Sequence, residues 1–143
     1  MSCLIDYDDY FLGKASFDVY PNNNLILEYG FKSNYQFKIY EFKQKFYSFS
    51  IEKSSFCFLG TIDYFFGKIN LPFNNSNVIN KKEFLILEKI LHHSKEEDFV
   101  LLKNNFVIHP LNCFYCGKKL INPNNILGPD CEMRHGRTIR QYI

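Results

Sequence analysis

The sequence predicts an α+β protein: an antiparallel β-sheet meander packed by one main helix, with a small cysteine-anchored module closing the C-terminus. Three observations predict it. Residues 16–62 fall into short runs of alternating or aromatic-rich character, spaced near ten residues apart and separated by turn-forming residues. Residues 81–93 carry apolar side chains at helical spacing. Residues 113–135 hold three of the five cysteines, together with a histidine, at regular intervals. The expected division is an α+β domain over 1–108 and a module with a short basic helix over 109–143.

In chain order, residues 1–13 are acidic and aromatic (Asp6-Tyr7-Asp8-Asp9-Tyr10-Phe11). They read as a solvated lead-in with Phe11 or Leu12 docked, or as an acidic-aromatic contact surface. Ser16–Tyr20 alternates, Pro21–Asn24 is turn chemistry, and Leu25–Tyr29 reads as the returning strand of a hairpin. Tyr35–Phe42 alternates with Phe37 and Ile39 on one face, Lys43–Lys45 turns the chain, and Phe46–Ile51 returns. Phe56–Ile62 is a further strand. Aromatic residues occupy both faces of these strands, so one face is expected under the helix and the other under long side chains, or open as a contact surface.

Residues 71–80 form a loop with Pro72 and Asn74, Asn75, Asn77 and Asn80. Asn80 and Glu83 make a capping box for a helix running to about His93. Its stripe is Phe84, Leu87 and Leu91, flanked by Ile86 and Ile90, with Lys82, Glu88 and Lys89 on the wet side. Phe99–Leu102 and Phe106–Ile108 read as a last hairpin leading to His109.

The terminal motif is Cys113-x2-Cys116, fourteen residues, Cys131, three residues, His135. Zn²⁺ is tetrahedral and borderline-soft, and thiolate and imidazole suit it. Two cysteines separated by two residues reach one ion from a tight turn, and Gly117 supplies the positive φ such a turn needs. Cys131 and His135 are i and i+4 on a helix that Gly128-Pro129-Asp130 starts, so they share a face. The expected centre is Zn²⁺ held by Cys113, Cys116, Cys131 and His135, in a reduced treble clef or a zinc knuckle. His109, four residues before Cys113, is the competing fourth ligand.

The string Cys113-x2-Cys116-Gly117-Lys118-x-Leu120 … Gly128-Pro129-x-Cys131 resembles a small zinc-finger domain of unknown function common in phage and bacterial proteins. The resemblance spans residues 109–136. The more usual form carries Gly-Ile-Gly-Pro where this chain has Ile126-Leu127-Gly128-Pro129. It implies zinc and a phage or bacterial setting, and no activity.

With 143 residues, 46% hydrophobic and 18% aromatic, the chain can bury a sizeable core. Its formal net charge of +2 makes no general case for a polyanion partner. The charge is uneven: residues 113–143 carry five Lys/Arg against two Asp/Glu, and all three arginines lie in the last ten residues. No signal peptide or transmembrane run is visible, which predicts a reducing cytoplasm where clustered cysteines bind metal. Abundant Asn, Lys, Ile and Phe with scarce Arg fits an AT-rich source such as a phage or mobile element.

No phosphate loop, nucleophile elbow or calcium loop occurs, and a Cys3His zinc site is coordinatively closed. The functional expectation is a non-enzymatic zinc-binding interaction protein. The favoured partner is a protein, with inhibition of a host enzyme or defence complex as one form. The alternative is nucleic acid, bound through the finger by Lys118, Lys119, Arg134, Arg137 and Arg140.

Overall fold

A computed structural model describes residues 2–3, 5, 7–52, 54–63, 68–70, 81–95, 99–120, 125–135 and 141–142. The architecture is α+β. Strands β2 (Lys14–Pro21), β3 (Tyr35–Phe42), β4 (Lys45–Glu52), β5 (Ser55–Asp63) and β6 (Lys68–Asn70) follow one another as an antiparallel meander. Strand β7 (Phe106–Pro110) returns to the free edge of β2, so the sheet runs β6-β5-β4-β3-β2-β7. A separate two-residue strand near each end, β1 (Ser2–Cys3) and β8 (Gln141–Tyr142), pair with each other.

The predicted strands from Tyr35 to Ile62 form as expected. Alternation places Phe37 and Ile39 on the buried face, fully enclosed, with Ala15, Phe17 and Val19 beside them on β2. The β3–β4 turn is Lys43-Gln44, both with positive φ (51° and 65°), the geometry that suits the twist of a two-residue hairpin. On β4 the inward positions are Phe46, Ser48 and Ser50. The Ser48 hydroxyl is satisfied locally, donating to the Gly60 carbonyl at 2.8 Å. A bulge between Ser48 and Phe49 turns Leu59 of β5 inward, where it is buried.

Three expectations are corrected. Residues 25–29 are not a strand: helix α1 spans Asn23–Tyr29. Asn22 caps it, accepting the Leu25 N–H at 2.9 Å, and Gly30 ends it in the left-handed region. The hairpin partner it was expected to supply is excluded by topology, because β3 and β7 occupy both edges of β2. Residues 99–102 are likewise helical, within α3 (Phe99–Asn105), and only the 106–108 half of that hairpin is extended. The acidic-aromatic lead-in is mostly packed rather than solvated, with Phe11 docked as expected and Asp8 exposed. Tyr7–Phe11 forms a 3₁₀ turn with Tyr7, Tyr10 and Phe11 buried, and Asp9 buried with them.

Helix α2 (Lys81–Lys95) runs one half-turn beyond the expected end and buries Ile86, Leu87, Ile90 and Leu91 completely. Each such burial contributes about 1.5–3 kcal/mol. Asn80, its expected cap, and the 71–80 loop lie outside the described residues. The helix packs against the 3₁₀ turn, α3 and β6. All of this lies on one side of the sheet, which leaves Tyr40, Tyr47, Phe49, Phe56 and Phe58 on the other.

Candidate metal centre

The candidate centre grows out of the end of β7. After Pro110 the chain keeps its course, with the Leu111 N–H donating to the Ser16 carbonyl at 2.8 Å. Asn112 and Lys119 then form an isolated antiparallel bridge, and the Cys113 N–H donates to the Lys118 carbonyl at 2.8 Å. Between these two contacts the backbone turns sharply. The Gly117 N–H closes the turn on the Cys113 carbonyl at 2.9 Å, and Gly117 has φ +82°, the positive value its position demands.

The turn is anchored from below by Phe114. This residue lies between the two cysteines, points into the core and is fully buried. Its ring lies 6.2 Å from Tyr10 and 6.1 Å from Phe17. Its carbonyl accepts the Lys14 N–H at 2.7 Å, and its N–H donates to the Ile126 carbonyl at 2.8 Å. The turn therefore sits on the start of β2 and is held by the segment that brings in the third cysteine.

That segment is Ile126-Leu127-Gly128, followed by helix α4 (Pro129–His135). Ile126 and Leu127 are buried, which sets the entry of the helix, and Pro129 begins it as predicted. Cys131, in the first turn, faces inward and is buried.

The sulfurs of Cys113, Cys116 and Cys131 all lie within 4.8 Å of one another, compatible with a shared metal ion. A zinc tetrahedron with Zn–S bonds of ~2.3 Å spaces its sulfurs ~3.8 Å apart. The cluster is thus within about 1 Å of that spacing.

The thiols are strongly differentiated. Burial works to raise Cys113, but backbone N–H groups of Cys116, Gly128 and Tyr115 outweigh it and bring the thiol down to about 7. The Cys116 N–H lies 3.5 Å from that sulfur. Cys131 moves the other way. Burial, hydrogen bonds to the Cys116 and Cys113 sulfurs, and the charge those sulfurs carry push it up to about 12. Three thiolates at this separation repel, and a bound cation relieves that repulsion.

Among the described residues the cluster consists of these three cysteines alone. His109 is not part of it: on β7 it pairs with Asp18 in register, and its ring packs edge-on against Tyr20 at 5.5 Å. His135 ends α4, one helical turn after Cys131, and its side chain is outside the described set. Of the basic residues singled out, Lys118 and Lys119 are exposed on the turn. Arg134 lies on α4 with its side chain undescribed, and Arg137 and Arg140 lie outside the described residues.

Sequence reasoning missed Lys14. A Cβ added to Gly117 would meet its Cδ at 3.2 Å, so this lysine joins the start of β2 to the turn. Eighty residues and more separate it from the motif, and no local pattern marks it. No helix among the described residues is long and apolar enough to cross a membrane. Comparison with family models, with curated proteins and with solved structures produced no match.

Proposed function

We propose that the chain is a non-enzymatic interaction protein in which Cys113, Cys116, Cys131 and His135 close a Zn²⁺ site that serves as a structural staple. The observation that carries this reading is the convergence of three sulfurs around a turn whose own Phe114 is a core residue. Thiolate-rich sets favour zinc over harder cations. His135 follows Cys131 by four residues on α4, the i, i+4 spacing that suits a shared ligand pair. Four protein ligands leave no position for a reactive water, and the proposal of no catalytic role rests on that closure.

Native mass spectrometry of the purified chain, before and after chelation, tests the staple. One zinc per chain, with a loss of thermal stability once it is removed, is the expected result. Zinc content and melting temperature unchanged in Cys116→Ser would overturn it.

The basic C-terminus and a protein partner are the two routes by which such a module is expected to act. The protein-partner reading loses one support, since the acidic-aromatic residues Tyr7, Asp9, Tyr10 and Phe11 are core. It retains Leu27 on α1 and Val100 on α3, which are 84% and 72% exposed. Loss of partner capture by Leu27→Ser and Val100→Ser together, with stability unchanged, would support it.

A further inference from the structure

The second face of the sheet is dominated by aromatic rings that contribute nothing to the core. Register fixes their grouping. Tyr40 of β3 lies opposite Tyr47 of β4, Phe49 of β4 lies opposite Phe58 of β5, and Ile51 lies opposite Phe56. The rings touch in sequence: Tyr47 and Phe58 at 6.2 Å, Phe58 and Phe49 at 5.5 Å, Phe49 and Phe56 at 6.3 Å. Phe56 is 60% exposed and Phe58 39%. Leaving rings of this size in water forgoes burial that the opposite face exploits fully.

Cations are interleaved with the rings. The Lys38 ammonium lies 5.4 Å from the Tyr40 centroid and 5.2 Å from that of Phe56. Alternation places Lys14 and Lys45 on the same face, and both are exposed. Lys14 pairs with Tyr40 and abuts Gly117, so the positive row continues from the ring patch onto Lys118 and Lys119 of the turn. The acidic residues that share this face are Asp18, in the middle of β2 between Gln36 and His109, and Asp63 at the end of β5; neither lies on β3–β5 among the rings. Glu41 has the opposite strand parity.

We propose that the outer face of β3–β5 is a stacking platform for single-stranded nucleic acid, with Tyr40, Tyr47, Phe56 and Phe58 taking bases and Lys14, Lys38, Lys118 and Lys119 taking phosphates. This deepens the reading of the chain as an interaction protein and rests on it. A sheet covered by helices on one side and carrying aromatic side chains on the other suits unstacked bases, because every base offers a π-face. Three adjacent strands span about 10 Å, enough for two or three bases. A protein partner would gain from the same apolar area, but it has no need of Lys38 lying between Tyr40 and Phe56 with Lys14 beside Tyr40. A phosphodiester backbone does. Duplex is disfavoured, since its bases are already stacked and a flat sheet does not enter its grooves.

The test is fluorescence anisotropy of a labelled dodecathymidylate and of a duplex of equal length, titrated with the full chain at 50 mM and 200 mM salt. Zinc content and melting temperature are measured on the same preparation. The single strand is expected to bind more tightly than the duplex. Phe56→Ala and Phe58→Ala are each expected to weaken it about fivefold or more, with the fold retained in both and the melting temperature lowered more in Phe58→Ala, whose ring packs on Tyr47 and Phe49, than in the more exposed Phe56→Ala. Lys14→Ala should lower the salt slope by about 0.7. Photocrosslinking of a bromouracil oligonucleotide to residues of β3–β5 would support the same face without any substitution.

Three results would overturn the platform. One is no binding at 50 mM salt by protein that is folded and zinc-loaded; the staple then stands and the partner is a protein. Another is binding unaffected by Phe56→Ala and Phe58→Ala but lost in Arg134→Ala/Arg137→Ala/Arg140→Ala. The third is equal affinity for duplex. Binding that maps to Phe56 and Phe58 in protein devoid of zinc would support the platform while removing the staple.

Discussion

Cys113 and Cys131 sit at opposite ends of the thiol range within one cluster, and that sets how the metal-free protein responds to pH. Cys113 falls from 9.0 to about 7, so its contribution is present above pH 9 and lost as pH drops through 7. Cys131 rises from 9.0 to about 12, so stability is lost as pH climbs from 9 towards 12, where the unfolded thiol ionises and the folded one resists. The chelated, reduced protein should therefore melt highest near pH 9. Melting temperature of the unaltered chain against pH checks this, and the difference from Cys131→Ser isolates the upper limb, level below pH 9 and falling above it. A monotonic fall from pH 7 to 9 in the unaltered chain would contradict it. The fourth ligand is a second residue-scale question. His135→Ala should weaken zinc at least tenfold, the smallest loss usual even for groups that only support a ligand. His109→Ala should leave the affinity unchanged, as its ring belongs to Tyr20. Competition with a chromogenic chelator distinguishes the two.

Among the elements, α1 shows most clearly how a local signal was overridden. Leu25-Ile26-Leu27 is a short apolar run, which periodicity cannot assign to helix or strand. The deciding residues lie at its ends: Asn22 as cap and Gly30 in the left-handed region. Asn22 does more than cap, since its side-chain amide donates to the Asn104 carbonyl at 2.7 Å and its N–H to the Asn105 carbonyl at 2.9 Å. It thus ties the start of α1 to the end of α3. Asn22→Ala should cost about 1–2 kcal/mol, at or above the usual cap loss, measured by urea unfolding. Asn22→Asp keeps the cap and removes only the donor, so it should fall between the two. Residues 99–102 were misread for the same reason as 25–27: Phe-Val-Leu-Leu has no period, and its neighbours in space are α2 and β7.

At the scale of the molecule, the turn that carries Cys113 and Cys116 shares its core with the sheet. Phe114, Ile126, Leu127 and both buried cysteines pack in the same cluster as Tyr10, Phe17 and the α2 side chains. Metal and sheet should therefore be coupled. Phe114→Ala is expected to cost about 3–5 kcal/mol, the usual loss for a buried ring, and to lower zinc affinity in parallel. Chelation of the unaltered chain should shift one cooperative transition, followed by calorimetry. Separate transitions for the sheet and for the C-terminal segment would show that they are energetically independent.

The three clustered cysteines were legible in the sequence because the turn and the helix start that carry them are local features. Two cysteines three residues apart, a glycine after them and a proline-started helix specify a turn and a helix start whatever surrounds them. The strands from Tyr35 to Ile62 and the α2 stripe were legible for a related reason: the side-chain period itself reports which face is buried. Tertiary structure decided the rest. Both edges of β2 were taken by distant segments, which left 25–29 without a strand partner. The acidic-aromatic Tyr7–Phe11 segment became core because it packs against β2, β3 and α2. Phe114, set between Cys113 and Cys116 and indistinguishable in sequence from exposed Tyr115, became the plug that joins the cysteine turn to the core. The first is also signalled locally, by the Asn22 cap and the Gly30 stop; the other two depend on contacts between residues far apart in the chain, and no period or motif within a short window encodes them.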